Sequence, residues 1–112
     1  MNTHSKAVTV VITCAIKPDK LEMARRELSA VIELVLANEP ACSGIRVHED
    51  TKNPQRILII EHWESEEVFT GPHMQMPYMK AFLETAQEFV QGTAEFGFWR
   101  EIPLSSRHET PP

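Results

Sequence analysis

One stretch of this chain carries side chains able to do chemistry on a small molecule: a carboxylate and an indole in Glu61-His62-Trp63, and an imidazole, His73, further on. In an extended strand Glu61 and Trp63 share one face. Trp63 reads either as core filler or as the aromatic wall of a site for a planar ligand. Glu61 reads either as solvated or cation-paired, with Arg46 a candidate, or as a direct ligand contact. If the hairpin pairs position 49 with 56, Arg46 lies opposite Ile59 and Gly44 opposite Glu61, which leaves a diagonal Arg46–Glu61 contact. His73 follows Gly71-Pro72, a break in a helical pattern where a side chain can project into a cavity. A lone histidine is commonly structural, but its titration range suits proton transfer near neutrality. Met74, Met76 and Met79 surround it, either as adaptable walls of an apolar pocket or as plain core packing.

Other chemistries fall away. The four glycines, at 44, 71, 92 and 97, make no dinucleotide or phosphate loop. His48 and His62 lie on neighbouring strands, but that register sets His62 opposite Ser43 and leaves His48 roughly 17 Å away, so no metal site is expected. His4 and His108 fall in expected tails. Eleven Lys and Arg against sixteen Asp and Glu give a net charge of −5, the wrong sign for a nucleic-acid or anionic-membrane surface. Cys14 and Cys42 are too few for a disulfide framework and fit a reducing cytoplasm. The apolar run from Ala7 to Ile16 has the length of a signal-peptide core. Thr9, Thr13 and its β-branched residues favour a strand instead, and no apolar stretch approaches the ~20 residues of a membrane span.

The elements that must position these residues follow from periodicity. A first strand spans 7–16, and Pro18 ends it. Asp19 then caps a helix, with Glu22 as its capping-box partner and Glu22–Arg26 as an exposed pair. Leu21, Ala24, Leu28, Val31, Ile32 and Val35 form its apolar stripe, and Glu39-Pro40 stops it. Strands are predicted at 42–49 and 56–63 around a polar hairpin, 50–54. Ser65 caps a short turn that Gly71-Pro72 interrupts. Pro77 opens a second main helix whose face carries Met79, Phe82, Leu83, Ala86 and Val90, and Gly92 ends it. A fourth strand covers 94–102. A single domain at 7–102 lies between tails at 1–6 and 103–112, a size that one core fills among 112 residues.

The order βαββαβ is an α+β, ferredoxin-like arrangement, with a four-stranded antiparallel sheet and two main helices on one face. Strands one and three are apolar on both sides, so the other sheet face, roughly 300 Å² in footprint, needs a cover. A second copy packed sheet to sheet about a two-fold axis supplies it, which predicts a homodimer.

The segment from Cys42-Ser43-Gly44, through Asn53-Pro54 and Glu61-His62-Trp63-Glu64-Ser65, to His73, Tyr78 and Phe82 resembles the antibiotic biosynthesis monooxygenase family, over about residues 7–102. That resemblance implies a dimeric α+β barrel. His73 matches the first of two histidines common in the family, and Tyr78, beside Pro77, stands near the second. The haem-degrading relatives use an Asn on the first strand; none is present here, which disfavours haem cleavage.

The resemblance further implies a cofactor-independent monooxygenase acting on a small electron-rich aromatic, such as a hydroquinone or anthrone. His73 and Tyr78 would then be catalytic, removing or holding a phenolic proton. Trp63, Glu61, Met74, Met76, Met79 and Phe82 would bind the ring, with no metal or other cofactor. Two alternatives stay open: a non-catalytic dimeric binding protein for a small molecule, or an isomerase acting on a small carbonyl metabolite.

Overall fold

β1 (Val8–Ile16) owes its form to a run of β-branched residues, and its inward face buries Val10 and Ile16 completely. The structure, a computed structural model, describes residues 6–104. The expected tails, with His4 and His108, therefore lie outside the described residues except for Lys6, Pro103 and Leu104. After β1, Pro18–Lys20 form a single 3₁₀ turn that leads directly into α1 (Leu21–Asn38).

Asp19 is thereby drawn into the turn instead of capping α1. Lys20 holds the cap position and makes no side-chain capping bond. Pro18 causes this: its fixed φ starts helical winding a turn early. The expected Glu22–Arg26 pair is replaced by Arg25, which reaches across to Glu49 on the second strand. The apolar stripe behaves as its spacing predicts, burying Ala24, Val31 and Val35 against the sheet.

β2 (Cys42–Asp50) and β3 (Asn53–Trp63) form a tighter hairpin than the sequence suggested. Asp50 accepts the Lys52 amide at 2.8 Å and pairs with Asn53. A register irregularity between Glu49 and Asp50 then sets Glu49 opposite Ile57. This one-residue slip corrects the predicted register and turns Arg46 away from Glu61. Arg46 faces Ile60, and Glu61 faces Ile45. The same slip sets His62 opposite Gly44 in place of Ser43, and a second irregularity, between Cys42 and Gly44, then sets Cys42 opposite Trp63.

Ser65 caps α2 (Glu66–Val68) by accepting the Val68 amide at 3.1 Å, and the chain continues into a π-helical turn, Phe69–His73. α3 (Pro77–Ala86) begins on Pro77, where a missing amide costs nothing. It ends earlier than the sequence implied. Amides of Glu88 and Phe89 bond back to Thr85 and Ala86, and β4 (Val90–Trp99) starts at Val90. Gly92 is therefore not a helix terminator. It lies within β4 at φ +80°, where the strand carries a bulge.

The sheet order is β2-β3-β1-β4, antiparallel throughout, with α1 and α3 on one face: the ferredoxin-like α+β fold. Two buried clusters lie between helices and sheet. One gathers Val10, Val31, Val35, Cys42, Trp63, Phe69 and Met79; the other gathers Ile16, Ala24, Ile57, Ile59 and Phe89. The half-buried Ile12, Ile45 and Phe82 pack against both. On the opposite sheet face Val11, Leu58 and Ile60 lie side by side, with no helix above them among the described residues. There the Trp99 indole rests on Gly97, where an added methyl would stand 2.8 Å from its Nε1. Among the described residues no helix is long and apolar enough to cross a membrane.

Candidate functional site

Alternation along β3 carries Ile57 and Ile59 inward, and the same alternation carries Glu61 and Trp63 inward after them. Glu61 is thus a carboxylate at a core position, 8% exposed, and Trp63 is 2% exposed. The indole Nε1–H donates to Glu61 Oε1 at 2.8 Å. This bond gives both buried polar groups a partner. Burial pushes the Glu61 carboxyl above its ordinary range; the Trp63 donor and His73 oppose that shift in part, and Glu39 adds to it.

The π turn sets His73. Five residues wind from Phe69, and Pro72 inside the turn cannot donate a backbone hydrogen bond, so the wider winding re-aims the side chain that follows it. The His73 ring lies 4.4 Å from the Trp63 ring and stacks on Phe69 at 5.2 Å, leaving it 2% exposed. Its Nδ1 stands 3.0 and 3.1 Å from the two carboxylate oxygens of Glu39. A carboxylate only accepts, so Nδ1 carries the proton. Nε2 has no hydrogen-bond partner among the described residues.

Glu39 was read in the sequence only as part of a helix stop, and it proves central. It is the residue after α1, 9% exposed, and the Tyr78 hydroxyl donates to its Oε2 at 2.5 Å. A signal was present: Val31, Val35 and Glu39 follow each other at four-residue steps, so Glu39 continues the buried stripe. Tyr78 sits against Glu39 and not against the cavity. Desolvation and that carboxylate hold its hydroxyl protonated well beyond the usual range.

Between helices and sheet, where the two clusters meet, lies a cavity of about 130 Å³. His73 and Glu61 reach its wall, as do Met74, Met79 and Phe82. Trp63 backs both polar groups without lining the space, and Met76 packs with the first cluster just before α3. The sequence-derived residues are therefore gathered in one region, but divide into a lining set and a supporting set. The lining thiol Cys14 and the buried Cys42 are not poised nucleophiles, since burial raises both and pushes Cys42 up to about 11. Among the described residues no group of three or more His, Cys, Asp and Glu is placed to hold a metal ion. A wider, open groove of about 580 Å³ between α1 and β2 is crossed by the Arg25–Glu49 pair and holds no comparable cluster of buried polar groups.

The arrangement can do two things to a bound molecule. His73, anchored through Nδ1, leaves Nε2 to accept a proton. Glu61, desolvated, can donate or accept a hydrogen bond on the same wall.

Solved structures share this frame. A conserved protein from Methanosarcina mazei superposes with a TM-score of 0.80 at 22% identity, covering 89% of this chain and 97% of that one. A proposed antibiotic biosynthesis monooxygenase from Caulobacter crescentus gives 0.81 at 18% identity, covering 87% and 91%. Another such protein, from Bacteroides thetaiotaomicron, gives 0.75 at 20%, covering 91% and 93%. No curated protein matches the chain. At these identities the likeness speaks for the fold. The family model for antibiotic biosynthesis monooxygenases matches residues 7–98, a span that takes in β1, β2, β3 and β4 as far as Phe98, together with Glu39, Glu61 and the π turn, and on that match the chain belongs to this family.

Proposed function

We propose that the protein is a monooxygenase that oxidises a small electron-rich aromatic without metal or flavin. The observation that carries this is the buried Glu39–His73 pair at the edge of an otherwise apolar cavity. In this scheme His73 Nε2 takes a phenolic proton, and the resulting anion transfers an electron to oxygen. The radical and superoxide then combine at a ring carbon. Loss of water leaves one oxygen atom in the product and sends the other out as water, the substrate supplying all four electrons. Glu39 holds the imidazole tautomer and orientation, and Tyr78 holds Glu39. Trp63, Met74, Met79 and Phe82 keep the ring dry, which favours electron release from the anion.

We also read the protein as a homodimer joined through the uncovered sheet face, and as cytoplasmic, a reading supported by its two free thiols. An acid and a base on one wall would equally serve a keto–enol isomerase, which needs no oxygen.

Oxygen uptake by chelator-treated, flavin-free protein with hydroquinones and anthrones tests the scheme. Uptake should exceed the uncatalysed rate and fall by about a hundredfold or more in His73→Ala. Glu39→Gln should lower it less and alter its pH profile. Uptake unchanged in His73→Ala removes His73 from the chemistry, and turnover that persists under argon selects the isomerase.

A further inference from the structure

Glu61 is a buried carboxyl on the cavity wall for which the oxygenase scheme has no task. Its cross-strand neighbours on either side are Val10 and Ile45, both apolar. Met79 and Phe82 of α3 line the same cavity. Among the described residues no Lys or Arg pairs with it, since Arg25 goes to Glu49 and Arg56 to Asp50. The charged and titratable groups that act on it are His73 and Glu39, and it acts in turn on the Cys42 thiol. Its Oε1 already accepts from the Trp63 indole at 2.8 Å. Its Oε2 has no hydrogen-bond partner among the described residues, and neither has His73 Nε2. Yet among those residues no side-chain polar atom is both sealed in protein and unpartnered. Both atoms therefore reach open space, and the space that both residues line is the cavity. One wall thus presents a carboxyl oxygen that can carry a proton beside a ring nitrogen that lacks one.

We propose that Glu61 is the proton donor of this site, delivering a proton from Oε2 to the peroxide formed on the ligand, while His73 acts as the base. The step rests on the oxygenase reading. Addition of dioxygen to the ring leaves a carbon-bound peroxide anion, whose outer oxygen cannot depart as an oxide dianion. Glu61 gives that oxygen a proton, forming the hydroperoxide and a Glu61 carboxylate. The carboxylate then takes the hydrogen from the same ring carbon. The C–H electron pair becomes the second bond of a carbonyl, the O–O bond breaks, and hydroxide leaves. His73 returns its proton to the hydroxide, giving water, so both residues end as they began. The first proton transfer prepares the second, because a charged His73 makes Glu61 the stronger acid. Two titratable groups whose surroundings hold them in opposite protonation states let one wall supply both acid and base.

Infrared difference spectra between ligand-free wild type and Glu61→Gln, taken at the pH of turnover, should show the carbonyl stretch of a protonated carboxyl in the wild type. Its absence overturns the proposal whatever the oxygen data. In air, the probe is the hydroquinone or anthrone that the wild type oxidises fastest. Glu61→Gln should form oxygenated product about a hundredfold more slowly, while oxygen uptake falls far less and the difference leaves as hydrogen peroxide. An unchanged ratio of product to peroxide overturns the proposal. In the wild type that ratio should fall as rising pH ionises Glu61, and in Glu61→Gln it should not vary with pH, a signature that lost packing does not give. If Glu61→Gln fails to fold, the wild-type ratio carries the test, and a ratio independent of pH overturns the proposal. Wild-type protein that oxidises none of these compounds overturns the oxygenase itself, and the peroxide step with it.

Discussion

Glu61 shows how a single residue can be read for identity but not for state. Its position follows from the period of β3, while its protonation follows from desolvation that only the packed helices impose. A carboxyl raised by burial keeps a proton in the folded chain that the unfolded chain has released. Above its ordinary value near 4.5, rising pH therefore favours unfolding, until the folded group also ionises. Glu61→Gln removes that titration and keeps an oxygen for the Trp63 donor. Denaturant titrations at several pH values should show the wild type losing stability relative to Glu61→Gln as pH rises above the ordinary carboxyl value near 4.5. A difference independent of pH would mean that Glu61 is not desolvated. Glu39 is the complementary case: its place on the stripe was visible, but its partners, His73 and Tyr78, are contributed by a separate segment of chain.

Two irregular elements aim the rest. The π turn at Phe69–His73 was foreseen only as an interruption at Gly71-Pro72, because periodicity identifies a break without specifying its winding. In β4, Ala15 pairs with Gln91 and Thr13 with Glu95, so the strand takes up extra residues around Gly92. Their number keeps Val90, Phe96 and Phe98 on the helix side, where Phe96 and Phe98 pack on Phe69. A methyl at Gly92 meets nothing within 4 Å, so substitution there costs only the left-handed backbone. Gly92→Ala should lose about 1–2 kcal/mol in chemical denaturation with no change in m-value. An unchanged midpoint would show that the bulge relaxes freely.

For the whole molecule the second sheet face matters most. Val11, Leu58 and Ile60 form a row there, with Trp99 laid over Gly97 beside them. Neighbouring apolar side chains on a sheet face favour a partner. The proposed homodimer places a second copy on that row. Sedimentation should give twice the chain mass for the wild type and a folded monomer for Ile60→Lys, whose charge would be buried in the pair. A monomeric wild type at micromolar concentration would overturn the dimer.

Within single windows of the chain, residue type and period determined the four strands, the two main helices, their inward faces and the order that makes the fold ferredoxin-like. Those same periods placed Glu61 with Trp63 on one face of a strand, and Met79 with Phe82 on one face of a helix. Only the tertiary structure decided the rest: the one-residue slip that separates Arg46 from Glu61, the Glu39–His73–Tyr78 contacts, and a cavity of about 130 Å³ between helices and sheet. Periodicity is a property of neighbours along the chain. Register, hydrogen-bond partners and free volume are properties of segments that meet only when the chain has packed, and a bulge of one residue is enough to change all three.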